Sequence, residues 1–305
     1  MHSHSNDHDH HGRDPGIGRA FAIGIALNIA FVLAEWTCGV LANSLSLIAD
    51  ATHNFSDVLG LALAWGAMAL ARRPPSMRFT YGLRGTTILA ALGNAMLLLV
   101  ATGGIAWEAI LRFKSTAAIN ETIMIWVAVL GVLINAGTAL LFMRGSKTDL
   151  NVRGAYLHMA ADAGVSLGVA VAGVGMLVTG WTWIDPVTSL LIVTVIFVGT
   201  WGLLRDSVKL ALHAAPENVD PLEVRGYLAG LPGVAEVHDL HIWAMSTTET
   251  ALTVHLVMPT GHPGDEFFNN IVHHVEDRFR IGHATIQIET GTSGNSCVLA
   301  PDHVV

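Results

Sequence analysis

Two spacings in this sequence put metal-ligating side chains where water is scarce. His53 and Asp57 stand four residues apart within an apolar run, and His158 and Asp162 repeat the His-x-x-x-Asp spacing in another. On a helix, residues i and i+4 lie one turn apart on the same face, so each pair can grip an ion from one side. Two such helices side by side offer two imidazole nitrogens and two carboxylate oxygens. That four-ligand set is capable of tetrahedral coordination and suits Zn2+, whereas an all-oxygen set would point to Mn2+ or Mg2+. Ionisable groups within a bilayer are costly and are usually kept for function. One pair alone reads equally well as a polar bond between helices. Two identical pairs in separate runs point to function.

The runs that must position these residues are long. Six stretches, 17–41, 45–70, 86–109, 122–142, 156–179 and 184–204, reach the roughly 20 apolar residues that a bilayer core requires. Backbone in lipid must satisfy its own hydrogen bonds, so each stretch is predicted to be helical. Composition agrees: the 305 residues are 52% hydrophobic and 13% charged, against roughly 25% charged in soluble domains. Eleven Lys and Arg residues, Arg72, Arg73, Arg78 and Arg84 among them, fall on one side of the spans. Only Arg112 and Lys114 fall on the other. The positive-inside rule then places both termini in the cytoplasm. Glu35, Asp50, Asn94, Asn135 and Asp185 are further polar residues in the spans, expected to orient ligands or bond helices together.

After residue 215 the composition becomes that of a soluble domain. Helical patterns over 220–231 and 265–280 and alternating patterns over 234–245, 250–258 and 284–289 give the order αββαβ. The predicted fold is an α-helical membrane protein with six transmembrane helices plus a small cytoplasmic ferredoxin-like α+β domain. The predicted organisation is a His-rich disordered cytoplasmic tail over 1–15, the transmembrane domain over 16–212, the cytoplasmic domain over 213–290 and a disordered tail over 291–305. The first tail carries His2, His4, His8, His10 and His11, a composition that collects metal weakly. By regular strand alternation His238 and His241, three apart, face opposite sides. The two cysteines, Cys38 and Cys297, predict neither a disulfide framework nor a thiolate metal cluster, which argues against a Cu(I) carrier. The formal net charge of −8 excludes a broad basic nucleic-acid surface. No HExxH and no GxxxxGK[ST] motif occurs, so a zinc protease or an ATP-driven motor lacks its signature.

Five motifs in order resemble those of the cation diffusion facilitators. The stretch from Ser44 to Asp57 (SLSLIADATHNFSD) is similar to their second-span signature, and that from Asn151 to Asp162 (NVRGAYLHMAAD) to their fifth. Asp185-Pro186, Val237 to Trp243 (VHDLHIW) and His283 to Glu289 (HATIQIE) match further family landmarks. The resemblance implies a homodimer in the lipid bilayer that exchanges a divalent metal for protons. Its core site would be His53, Asp57, His158 and Asp162, with Zn2+ as the transported substrate, Cd2+ also accepted, and no organic cofactor. His238, His255 and Glu289 match positions that bind metal in some relatives, which implies a regulatory site in the cytoplasmic domain. His213 departs from the family, standing where many relatives have Glu, and the loop 72–84 has no His or Asp, so the additional loop site of some relatives is not expected.

Protonation of the ligands supplies a cycle. Neutral His and ionised Asp bind metal, metal binding displaces protons, and imidazole titrates near pH ~6.5 when unperturbed. The rival readings are a membrane-bound zinc sensor and an intramembrane metal enzyme. An enzyme needs an open coordination position, which four protein ligands do not leave. Without a targeting segment, the chain reads as a protein of the bacterial inner membrane.

Overall fold

The computed structural model describes residues 15–113, 118–143, 150–291, 297, 299 and 300; the His-rich residues 1–12 lie outside them. Six helices come first: α1 (Pro15–Ala42), α2 (Leu45–Ala71), α3 (Thr86–Arg112), α4 (Glu121–Phe142), α5 (Leu150–Thr179) and α6 (Ile184–Ala211). The shortest has 22 residues, or about 33 Å at 1.5 Å per residue, enough for a hydrocarbon core of about 30 Å. Helices α2 to α6 are long and apolar enough to cross a membrane, and in α1 the described apolar stretch runs from Ile29 to Ala42. Two helices outrun the apolar windows that predict them. Helix α5 begins at Leu150 and α6 continues to Ala211, because a hydropathy window stops at charges such as Arg153 and Arg205 while the backbone ladder does not.

The chain forms two compact units, residues 1–58 with 100–197 and residues 59–99 with 198–305. In the first, the turn from α1 to α2 is held by a buried carboxylate. Asn43 adopts the left-handed conformation (φ 55°), the role Asn often fills just after a helix, and the Ser44 amide reaches back to the Gly39 carbonyl at 3.0 Å. The new helix starts with unpaired amides. Asp185, in the first turn of α6 and fully buried, accepts from the Leu45 and Ser46 amides at 2.8 and 3.1 Å. It also accepts from the hydroxyls of Ser44 and Ser46 at 2.7 and 2.6 Å. Arg112, at the end of α3, stands 3.9 Å from the same carboxylate and donates to the Asn43 carbonyl and side chain. The expected helix-bonding role of Asp185 thus takes the form of a cap on α2.

In the second unit the order α7 (Pro221–Ala229), β1 (Glu236–Ala244), β2 (Thr250–Val257), α8 (Asp265–Phe279), β3 (Ile281–Glu289) reproduces the expected αββαβ. The sheet order is β1-β2-β3; β1 runs antiparallel to β2, and β3 returns parallel to β2 after the α8 crossover. Val224 and Leu228 of α7 and Ile271, Val275 and Phe279 of α8 bury against Leu252, Val254 and Leu256 of the sheet. In β1, Val237 and Ile242 both point into this core although they are five positions apart. A bulge between His238 and His241, with Asp239 left-handed (φ 50°), makes this parity possible. Consequently His238 pairs with His255 and His241 with Thr253, two β2 positions on the same outer face. Regular alternation put the two histidines on opposite sides; the bulge reverses that expectation. His213 (φ 61°) is the left-handed residue that ends α6, with the Ala214 amide bonded back to the Lys209 carbonyl.

Replacing Asp185 with Ala strands two amides and two hydroxyls together with Arg112. The expected loss is on the order of 3 kcal/mol, read as a lower thermal midpoint of the detergent-solubilised protein; an unchanged midpoint would refute the cap.

Candidate metal centre

Helices α2 and α5 bring all four sequence-predicted span residues together. His53 Nε2 lies 3.8 Å from Asp57 Oδ2 and 3.5 Å from Asp162 Oδ1, while His158 Nε2 lies 3.1 Å from Asp57 Oδ2 and 3.6 Å from Asp162 Oδ2. Each histidine therefore faces the carboxylate of its own helix and that of the other. The imidazole rings stand nearly perpendicular, 6.0 Å apart. Ligands bound to zinc at about 2.0–2.2 Å sit about 3.3–3.6 Å from one another at tetrahedral angles. The four His–carboxylate distances bracket that value, through one oxygen of Asp57 and both oxygens of Asp162. His53, His158 and Asp162 each offer a ligand atom within 4.8 Å of the others, and Asp57 falls outside that group. Asp162 is 3% exposed and His158 43%, so the cluster is closed on one side and open on the other. Among the described residues, His53 Nδ1 is buried without a hydrogen-bond partner, and Asp57 Oδ2, though 3.1 Å from His158 Nε2, lacks hydrogen-bond geometry. Orphans of this kind in a native structure call for an ion or water.

A second polar layer supports the first. Asp50 and Glu35 are fully buried. Ser166 of α5 donates to Asp50 Oδ2 at 2.9 Å, and Asn54 donates to Glu35 Oε2 at 3.0 Å. These contacts place both carboxylates beside the quartet without ligand contacts of their own, in line with the orienting role expected of them. Ser166 is itself wedged: a Cβ at Gly131 of α4 would lie 2.9 Å from its hydroxyl and 3.0 Å from Phe31. Asn135, also named from the sequence, is buried, and among the described residues its amide nitrogen has no partner.

The outer face of the sheet holds the other group. His238 Nε2 lies 3.5 Å from Glu289 Oε2, and His255 Nδ1 lies 2.9 Å from Glu289 Oε1. The two rings are 5.3 Å apart. The structure thus joins His238, His255 and Glu289, up to 51 positions apart in the sequence, through the register of three strands. His241 reaches this group through Asp239, whose Oδ1 is 2.9 Å from His241 Nε2 and whose Oδ2 is 3.4 Å from His255 Nε2. His283 does not join it and instead packs edge-on against Tyr81, 5.6 Å away.

Two members of this group escaped the sequence reading. Asp239 is visible only through the bulge, and Cys297 lies eight residues beyond β3. Its Sγ stands 3.7 Å from His255 Nδ1, and it shares a 4.8 Å cluster with His238, His255 and Glu289. A thiol-containing group therefore exists where none was expected. Burial pushes the Glu289 carboxyl up, but the Cys297 hydrogen bond and the two histidines pull harder and hold it below the ordinary range.

The sequence settles the family. Residues 21–210 match the family model for the cation efflux transmembrane domain, and residues 216–291 match that for the cation efflux protein cytoplasmic domain. The chain belongs to the cation efflux family. It is thus an integral membrane protein of a transporter family, the cation diffusion facilitators named by its motifs. The metal cation efflux system protein CzcD of Cupriavidus metallidurans is 40% identical over 285 residues, 93% of this chain and 89% of that one. The zinc transporter ZitB of Escherichia coli is 37% identical over 291 residues, 94% and 92% of the two chains. A cadmium, cobalt and zinc/H(+)-K(+) antiporter of Bacillus subtilis is 31% identical over 286 residues, 92% of each. A solved metal-bound C-terminal domain of that CzcD is 40% identical, covering 23% of this chain and 98% of its own, with a TM-score of 0.21.

The wedge at Gly131 is open to test. Gly131→Ala should push Ser166 from Asp50 and weaken zinc binding roughly tenfold, the usual effect of disturbing groups that orient ligands. Gly137→Ala, on the same helix with nothing within 4 Å of its added methyl, should not. Equal affinities in calorimetric titration would remove Asp50 and Ser166 from the site.

Proposed function

We propose that this cation efflux protein exports Zn2+, and accepts Cd2+, in exchange for protons at a site made of His53, Asp57, His158 and Asp162. The observation that carries the reading is the quartet itself: two i,i+4 pairs on separate helices with cross-distances of 3.1 to 3.8 Å. The donor set is two nitrogens and two oxygens, which suits zinc better than magnesium or manganese. The relatives' names agree in cargo, being a zinc transporter and an antiporter of cadmium, cobalt and zinc. That antiporter's protons also support proton exchange here.

In the proposed cycle, neutral imidazoles and ionised carboxylates take the ion from the cytoplasm, releasing protons. Rocking of the helices around a fixed midplane site turns the open side outward. Protons arriving there compete for the same atoms and displace the ion. The proposed organisation is a tail over 1–15, a transmembrane domain over 16–212, a cytoplasmic domain over 213–290 and a second tail over 291–305. The protein acts as a homodimer in the bacterial inner membrane with both termini in the cytoplasm. His238, His255 and Glu289 bind zinc as a regulatory ligand in the cytoplasmic domain. The protein is a carrier and no enzyme, and it uses no organic cofactor.

Zinc flux into proteoliposomes under an imposed pH gradient tests the whole reading. Flux should follow the gradient in the unaltered protein and fall to the level of protein-free liposomes in Asp57→Ala and Asp162→Ala. Robust transport by both variants would sink the site assignment. Stoichiometric zinc binding with no flux under any gradient would favour a membrane-bound sensor.

A further inference from the structure

Beyond β3, Cys297 stands beside the histidines of the sheet. Cys297 Sγ lies 3.7 Å from His255 Nδ1, and Sγ shares a 4.8 Å cluster with one ligand atom each of His238, His255 and Glu289. Ligands around a zinc ion, sulfur included, lie about 3.3–3.8 Å apart at tetrahedral angles. The contacts within the cluster, 2.9 Å from His255 to Glu289, 3.5 Å from His238 to Glu289 and 3.7 Å from His255 to Cys297, fall near that range.

The neighbouring side chains are set for a ligand as well. The His238 side chain is 3% exposed, and among the described residues neither of its ring nitrogens has a hydrogen-bond partner. Its Nε2 and Nδ1 instead stand 3.5 and 3.9 Å from the carboxylates of Glu289 and Glu236, and a buried imidazole without a hydrogen bond calls for a ligand or water. His255 is held from behind: Asp239 Oδ2 stands 3.4 Å from its Nε2, leaving Nδ1 turned to Glu289 and Cys297. A carboxylate behind a histidine fixes the ring and its tautomer in metal sites. The bulge that left-hands Asp239 is what puts that carboxylate on the outer face.

We propose that Cys297 is the fourth ligand of this group, closing a site of two nitrogens, one oxygen and one thiolate that prefers Cd2+ and Zn2+ to hard cations. It rests on the reading that His238, His255 and Glu289 bind metal, and adds the residue that sets the class of ion. A thiolate is a soft ligand, and the proposed span quartet contains none, so the two sites should differ in preference. Binding displaces the thiol proton to solvent and ties the tail to the strand ends.

The test uses the full chain in detergent, with Cys38→Ser introduced so that Cys297 is the one remaining thiol. Titration with Cd2+ is followed by the ultraviolet charge-transfer band that cadmium gives with thiolate and does not give with imidazole or carboxylate. The band should rise to one equivalent per chain. It should vanish in Cys297→Ser, with cadmium affinity at this site lowered at least tenfold, and be lost or sharply weakened in His238→Ala. A band absent from the parent, while His238→Ala still loses one bound equivalent, would overturn the role of Cys297 and leave the three-residue site standing. Equal stoichiometry in the parent, Cys297→Ser and His238→Ala would overturn the cytoplasmic site altogether. A band that persists in His238→Ala would show a thiolate bound elsewhere, and would also overturn the proposal.

Discussion

A carboxylate removed from water must be met by a donor, a cation or a proton, and the helices of this protein are arranged around that demand. Asp185 meets it with amides and hydroxyls. Four donors converge on its two oxygens, and the carboxylate completes the cap of α2, whose Leu47 amide the Ser44 hydroxyl already accepts at 3.3 Å. The arrangement complements the partial positive charge of a helix start. It anchors α2 at one end, a little over two turns before His53.

The same demand is met differently at the quartet. Asp57 and Asp162 have histidines rather than amides for neighbours, and some buried atoms stay unpartnered. A carboxylate saturated by fixed donors has nothing to offer a passing ion. One matched only by imidazoles can exchange them for a cation or a proton. The contrast between Asp185 and the quartet is therefore a contrast between structure and exchange. Asp50 and Glu35 lie between these extremes, each with one oxygen bonded to a neutral side chain and each facing the other's carboxyl group.

In the αββαβ part, the controlling feature is a break in regularity. Had β1 run without its bulge, Val237 and Ile242 could not both enter the core, and the histidines of β1 would be split between faces. One left-handed residue, Asp239, corrects the parity and contributes the carboxylate behind His255. Core packing and the outer polar cluster are therefore set by the same local distortion. The strand register does the rest, placing His238 opposite His255 and Glu289 beside Val257.

Much of this was legible in the residues. Span lengths, the two His-x-x-x-Asp pairs, the αββαβ order and the family motifs are all local signals, because helix and strand periodicities repeat within a few residues. The i,i+4 pairs were readable as single-sided grips for that reason. What no local pattern could carry is who meets whom across the chain. The 3.1 Å approach of His158 to Asp57 depends on how α2 and α5 pack, and the capping of α2 by Asp185 joins residues 140 apart. The bulge hid Asp239, since alternation assumes an undistorted ladder. Cys297 has neighbours without periodicity, so in the sequence it belongs to a tail, and only the folded position of its sulfur beside His255 gives it chemistry. Periodicity is a property of the chain; proximity between distant residues is decided by packing and register, which exist only in the folded protein.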